Sequence, residues 1–188
     1  MSKQPQVGAK KTGSLKGISV LVVEDYPFMV DMLTAMLREF GVGRIIVAEN
    51  GEEAKDLIRY SFSASGNAID MVLVDWLMPV CNGVELLQWV RGNKNEQIRF
   101  LPMVLISANT SERVVKTSRD FGANEALVKP VSPKSLSSHL AHVINHPRPF
   151  VKAPGFFGPD RRRQFREINF NDRRKTAPEL VKEYHEQL

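Results

Sequence analysis

Met71-Val72-Leu73-Val74-Asp75-Trp76-Leu77-Met78-Pro79, followed closely by Asn82-Gly83, is the stretch that decides the fold. Four consecutive apolar residues with no polar alternation read as a strand buried on both faces, and the proline and glycine beyond them end it in a loop. The carboxylate of Asp75 therefore stands at the carboxyl end of a buried strand. In an open α/β sheet that is the mouth where ligands bind.

On either side of it, strand-like apolar runs recur over 18–23, 45–48, 103–106 and 126–128, making five strands with 71–74. Helical spacing separates them. Phe28, Val30, Leu33, Met36, Leu37 and Phe40 repeat on one face before Gly41 stops the helix, and further helices are expected over 52–60, 84–90, 111–121 and 133–144. Ser132-Pro133 reads as an N-cap with a first-turn proline, and Tyr26-Pro27 as a weaker version of the same signal. Five repeats of strand then helix predict a doubly wound five-stranded parallel sheet with helices on both faces. Right-handed crossovers make 2-1-3-4-5 the simplest strand order.

That order places strands 1 and 3 side by side, so the acids at their ends, Glu24-Asp25 and Asp75, converge. Ser107 ends the fourth strand and Lys129-Pro130 follows the fifth. Three clustered carboxylates raise one another's pKa unless a cation neutralises them, and an all-oxygen ligand set favours Mg²⁺ completed by phosphate oxygens. Asp75 is then placed to act as a nucleophile toward phosphorus and become an aspartyl phosphate. Lys129 would neutralise the phosphoryl oxygens and Ser107 would donate a hydrogen bond to one of them. The proline after Lys129 permits a cis bond that could aim the ammonium inward.

These motifs resemble the receiver domain of bacterial two-component response regulators, the CheY-like family with its flavodoxin-like sheet. The resemblance covers about residues 18–144 and rests on Glu24-Asp25, on Asp75 with Pro79 and Gly83, on Ser107-Ala108 and on Lys129-Pro130. It implies a phosphoryl-accepting signalling switch, which assists its own phosphorylation and slow dephosphorylation. Asp75 would take the group from a sensor histidine kinase or phosphotransfer protein. Glu24, Asp25, Asp75 and the Leu77 backbone carbonyl would surround Mg²⁺, with Ser107 and Lys129 reading the phosphate.

Two departures stand out. The family more often has two aspartates where Glu24-Asp25 stands. It also usually carries an aromatic three residues before the lysine, where this chain has Ala126, so no large ring can relay movement of Ser107 to the surface over 111–144.

Other chemistries are poorly supported. Gly41-Val42-Gly43 follows a helix and precedes a strand, the reverse of a dinucleotide loop, and no P-loop pattern occurs. Leu77 stands where aspartate-based phosphatases place their general acid. Cys81 reads as a packing residue, and His139, His142 and His146 as a solvated helix face. Trp76 and Met78 flank the acceptor and could shape a kinase contact. A single cysteine allows no internal disulfide, and no apolar run reaches the roughly 18 residues of a membrane span. A cytoplasmic protein without membrane insertion is expected.

The net charge of +5 divides unevenly. Residues 1–16 are expected to be a flexible basic arm, 17–146 the receiver domain with more acids than bases, and 147–188 a basic tail. The tail's prolines at 147, 149, 154 and 159 suggest an extended linker, with a short helix after Pro178. Phe156, Phe157, Arg161, Arg162, Arg163 and Phe165 are its candidate contacts. Three readings stay open: binding to an unknown downstream protein, phosphorylation-independent or otherwise; binding to nucleic acid, the least favoured; or lying along its own receiver. In the last case one phenylalanine would cover the face between the helices over 111–121 and 133–144 in one phosphorylation state.

Overall fold

In the computed structural model, the structure describes residues 15–63, 67–108, 112–160 and 179–181, the last three and residues 112–115 in their backbone only. A short 3₁₀ turn, Leu15–Gly17, leads into β1 (Ser19–Val23), α1 (Pro27–Glu39), β2 (Arg44–Ala48), α2 (Gly51–Ser61), β3 (Met71–Asp75) and α3 (Gly83–Arg91). There follow α4 (Glu96–Arg99), β4 (Met103–Ser107), α5 (Glu112–Asp120), β5 (Glu125–Val128) and α6 (Pro133–Asn145). Three further strands are described after α6: β6 (Phe150–Ala153), β7 (Phe156–Pro159) and β8 (Glu179–Val181).

The first five strands form one parallel sheet in the order β2-β1-β3-β4-β5, as the strand-helix alternation requires. Period-two geometry splits its side chains between two cores. Leu21, Val23, Val72, Val74, Met103 and Leu105 face Ala54 and Ile58 of α2 and Leu86, Leu87 and Val90 of α3. Val20, Val22, Met71, Leu73, Val104 and Ile106 face Leu33 and Leu37 of α1 and Leu136, Leu140 and Val143 of α6. All five residues of β3 are buried, so the quoted stretch is the centre of the sheet, and Asp75 is itself its last strand residue.

Helix starts follow the residues at their caps. Asn82 accepts hydrogen bonds from the amides of Val84 and Glu85, while the Glu85 carboxylate accepts one from the Asn82 amide, a capping box that fixes the loop after β3. Ser132 caps α6 with Pro133 in its first turn, as expected, whereas Tyr26 caps α1 with no side-chain hydrogen bond.

Three features depart from the sequence reading. Helix α4 was not anticipated; the Asn95 side chain caps it through the Gln97 amide and Ile98 anchors it in the core. The segment after α6 is not an extended linker. Strands β6 and β7 make an antiparallel hairpin that pairs Ala153 with Phe156 across Pro154-Gly155, and Gly155 has φ +73°. The prolines sit at its ends and turn, where a missing N–H costs nothing, and Pro-Gly suits a turn whose third residue needs positive φ. Finally, residues 179–181, where the expected helix would begin, form a strand: β8 pairs with β6, Val151 opposite Leu180, and so satisfies backbone groups on the open edge of β6.

Candidate functional site

The carboxyl ends of β1, β3, β4 and β5 bring the expected residues into one cleft. Glu24 follows β1 and is 2% exposed, with its amide donating to the Ala48 carbonyl at 3.0 Å. Asp75 is 6% exposed, and Asp25 projects into solvent. Oxygen atoms of Glu24, Asp25 and Asp75 all lie within 4.8 Å of one another. Among the described residues this is the one cluster of three or more acidic, histidine or cysteine side chains close enough to share an ion; His139, His142 and His146 do not form one.

Lys129 reaches into the same cluster. Its Nζ lies 2.7 Å from Asp75 Oδ1 and 3.0 Å from Glu24 Oε2, and the Lys129-Pro130 peptide is cis. Asp75 Oδ2 accepts a hydrogen bond from the Leu77 amide at 3.2 Å, and Glu24 Oε1 accepts one from the Tyr26 amide at 3.4 Å. Burial pushes the Glu24 carboxyl above its usual range; the Lys129 hydrogen bond opposes this and the charge of Asp75 adds to it. Burial alone would pull the Lys129 ammonium down, but its hydrogen bonds and attraction to Asp75 and Glu24 outweigh that and raise it. Ser107 is buried at the end of β4, paired in register with Val128, and its carbonyl accepts from the Lys129 amide at 2.8 Å.

A glycine makes this closeness possible. At Gly83 a Cβ would stand 2.2 Å from the Asp75 carbonyl oxygen, so only a residue without a side chain lets α3 begin against the strand end. The loop between them carries Val80 at φ +67°, a conformation β-branched residues seldom adopt.

The rim holds residues that sequence reasoning missed. Leu77 and Val80 are 73% and 81% exposed, and Tyr26 and Phe28, with ring centroids 6.2 Å apart, are exposed after β1. Of Trp76 and Met78, which flank the acceptor, Met78 is buried in the core, while Trp76 is half-buried and packs against it. An alternating loop pattern was the available signal, since a buried Met78 forces its neighbour Leu77 outward. Cys81 is buried against Gly51, and burial pushes its thiol up, which suits packing. Ala126 lies in β5 opposite Leu105, with no ring at that position.

The tail's candidate residues fall at the other end of the sheet. Phe157 lies beneath Arg99, 3.7 Å from guanidinium carbon to ring centroid, and packs edge-on against Phe100 at 5.3 Å. Phe156 is half-buried beside it. Phe150 joins the same cluster, 4.8 Å from Phe100 and 5.4 Å from Phe157. Phe150 and Phe157 thus dock at the amino ends of the strands rather than on the face between α5 and α6. Arg161, Arg162, Arg163 and Phe165 lie outside the described residues, as does the expected arm through residue 14.

A family model, the response regulator receiver domain, matches residues 20–141. The chain belongs to that family. The CheY homologue of Campylobacter jejuni is 29% identical over 127 residues, which cover 68% of this chain and 92% of that protein. CheY1 of Helicobacter pylori is 30% identical over 128 residues, covering 68% and 97%. Among solved structures, CheY4 of Vibrio cholerae superposes with a TM-score of 0.57 at 28% identity, covering 67% of this chain and 98% of that one. The Borrelia burgdorferi CheY, in a structure of its complex with CheX, BeF₃ and Mg²⁺, gives 0.58 at 28% identity, covering 70% and 98%. This receiver is therefore CheY-like through its five-stranded sheet, a member of the two-component signalling switches. Among the described residues no helix is long and apolar enough to cross a membrane.

Proposed function

We propose that this receiver accepts a phosphoryl group on Asp75 from the phosphohistidine of a histidine kinase or phosphotransfer protein. The observation that carries the reading is the buried Glu24–Lys129–Asp75 contact beside an exposed Asp25: one cation held against two acids, with the third acid open to water. Among the described residues no basic side chain pairs with Asp25. Three hard oxygen donors within 4.8 Å fit a small divalent cation, and Glu24, Asp25, Asp75 and the Leu77 carbonyl would hold Mg²⁺. Bound there, the ion supplies positive charge that offsets the carboxylates and the phosphoryl oxygens.

In the transfer, an Asp75 carboxylate oxygen forms a bond to phosphorus as the P–N bond to the donor imidazolium breaks; the leaving nitrogen keeps the electron pair as its lone pair, and with the proton on the other ring nitrogen a neutral imidazole departs. Lys129 follows the negative charge from the carboxylate to the phosphoryl oxygens, and the Ser107 hydroxyl donates to one of them. Attack of water on phosphorus later breaks the same P–O bond, releasing inorganic phosphate and restoring the carboxylate. The exposed apolar rim of Tyr26, Phe28, Leu77 and Val80 gives the donor protein a surface to cover while the cleft stays shut to bulk water. The Borrelia CheY complex with BeF₃ and Mg²⁺ supports the same chemistry in a similar fold.

Incubation with acetyl phosphate and Mg²⁺ followed by intact-mass measurement tests this. A gain of one phosphoryl group that disappears in Asp75→Asn is expected, and no gain in the unmodified protein overturns the reading.

A further inference from the structure

Strand β5 is the edge of the main sheet, tied by backbone hydrogen bonds to β4 alone among its strands. It is four residues long, about 13 Å. Its carboxyl end runs straight into Lys129, bonded to Asp75 and Glu24. At its amino end the Glu125 carboxylate, buried, accepts a 2.8 Å hydrogen bond from Arg148 Nη2. Arg148 lies just before the hairpin, whose base is closed by the Asp160 amide donating to the Pro149 carbonyl at 2.8 Å. One short edge strand thus has the candidate phosphoryl site at one end and the hairpin at the other.

The loop that feeds β5 meets the hairpin backbone to backbone. A Cβ at Gly122 would lie 2.8 Å from the Phe157 carbonyl oxygen, and one at Gly158 would lie 2.7 Å from the Gly122 Cα. With no side chain at either position, no rotamer change can absorb a shift of the loop. Movement there must be passed to the hairpin or resisted by it. Arg91 extends the junction: its Nε donates to the Gly122 carbonyl at 2.8 Å, its Nη2 to Asn124 Oδ1 at 2.9 Å, and Asn124 bonds to Met103, the first residue of β4. The amino ends of β4 and β5 are therefore one hydrogen-bonded block, against which the hairpin packs backbone to backbone.

We propose that the hairpin of residues 150–159 is this receiver's own output element, with its docking on the amino ends of β4 and β5 coupled through β5 to the phosphorylation state of Asp75. This rests on the phosphoryl-acceptor reading of Asp75. When Lys129 transfers its contact from the carboxylate to the phosphoryl oxygens, the edge strand is drawn with it, and Glu125 and the 121–124 loop shift against Arg148 and Gly158. That route needs no aromatic ring at position 126. By linkage the coupling is reciprocal, so the state of the hairpin also biases the site.

Hydrogen exchange on the full chain, with and without acetyl phosphate and Mg²⁺, tests the coupling when intact mass is read on the same samples. Phosphorylation is expected to change exchange of the 150–160 amides by about fivefold or more, the lower end of ordinary allosteric coupling. In Arg148→Ala, which breaks the ion pair to Glu125, that phosphorylation-dependent change in hairpin exchange is expected to be lost. A phosphoryl mass gain with hairpin exchange unchanged overturns the output role and leaves the acceptor reading standing. The absence of any mass gain overturns the acceptor reading and the coupling with it.

Discussion

The two ends of the sheet solve opposite problems with charge. At the carboxyl end three carboxylates meet one ammonium, so the cluster keeps an excess of negative charge and one acid open to water. At the amino end Arg91 is 5% exposed, and its acceptors are the carbonyls of Gly122, Arg99 and Leu101 and the amide oxygen of Asn124, at 2.8 to 2.9 Å. Phe150 lies 5.1 Å beneath its guanidinium. Burial pulls the Arg91 pKa down to about 9, still above neutrality, so the group remains a cation held by neutral oxygens. The contrast shows how one fold separates exchange from support. Under the proposed acceptor role of Asp75, the charged partners are the ones traded for a phosphoryl group, whereas three of the four acceptors of Arg91 belong to the backbone and stay with it.

Arg91→Ala should have the largest effect on stability, because it strands buried carbonyl acceptors and opens a cavity under Phe150. A loss of about 4 kcal/mol is expected in urea unfolding, with Asp75 still phosphorylated in the folded fraction. A loss below about 1 kcal/mol would mean that water replaces the guanidinium, and the amino end would not be the rigid one. Lys129→Ala should leave the fold largely intact but slow phosphoryl gain from acetyl phosphate about 100-fold, as loss of a charge-stabilising donor does. Rates within threefold of the unmodified protein would remove Lys129 from the chemistry.

Glu24→Gln probes the smallest imbalance. Because the folded pKa of Glu24 is raised above 4.5, its ionised form costs stability at neutral pH, and that cost fades as pH falls through the folded pKa toward 4.5. In metal-free buffer the substitution should therefore stabilise the protein at pH 7 by less than about 1 kcal/mol, and the gain should shrink on acidification. With Mg²⁺ present the sign should reverse if Glu24 is a ligand. A variant that is less stable at pH 7 without metal would show that the Lys129 contact, not burial, dominates at Glu24.

The site was legible because its residues lie at the ends of apolar runs: once the alternation of strand and helix sets the order, Glu24, Asp25, Asp75, Ser107 and Lys129 must meet. Arg91 carried no comparable signal. It sits in the last turn of an amphipathic helix, where a basic residue is ordinary, and three of its four partners are backbone oxygens, up to 31 residues away in the chain, that any sequence would supply. The tail misled for a related reason. Proline marks breaks locally, yet here prolines frame a hairpin whose strands exist because Phe150 and Phe157 found Phe100, Arg91 and Arg99 to cover.

Periodicity and strand-end chemistry, both local, were enough for the chain by itself to determine the sheet, its order and the convergence of the acids. Only the tertiary structure decided which side chains face outward around the cleft, that a guanidinium lies buried among carbonyls, and that the hairpin folds under the amino ends of β4 and β5. Those outcomes depend on surfaces created after the sheet has formed, and no short-range pattern records them.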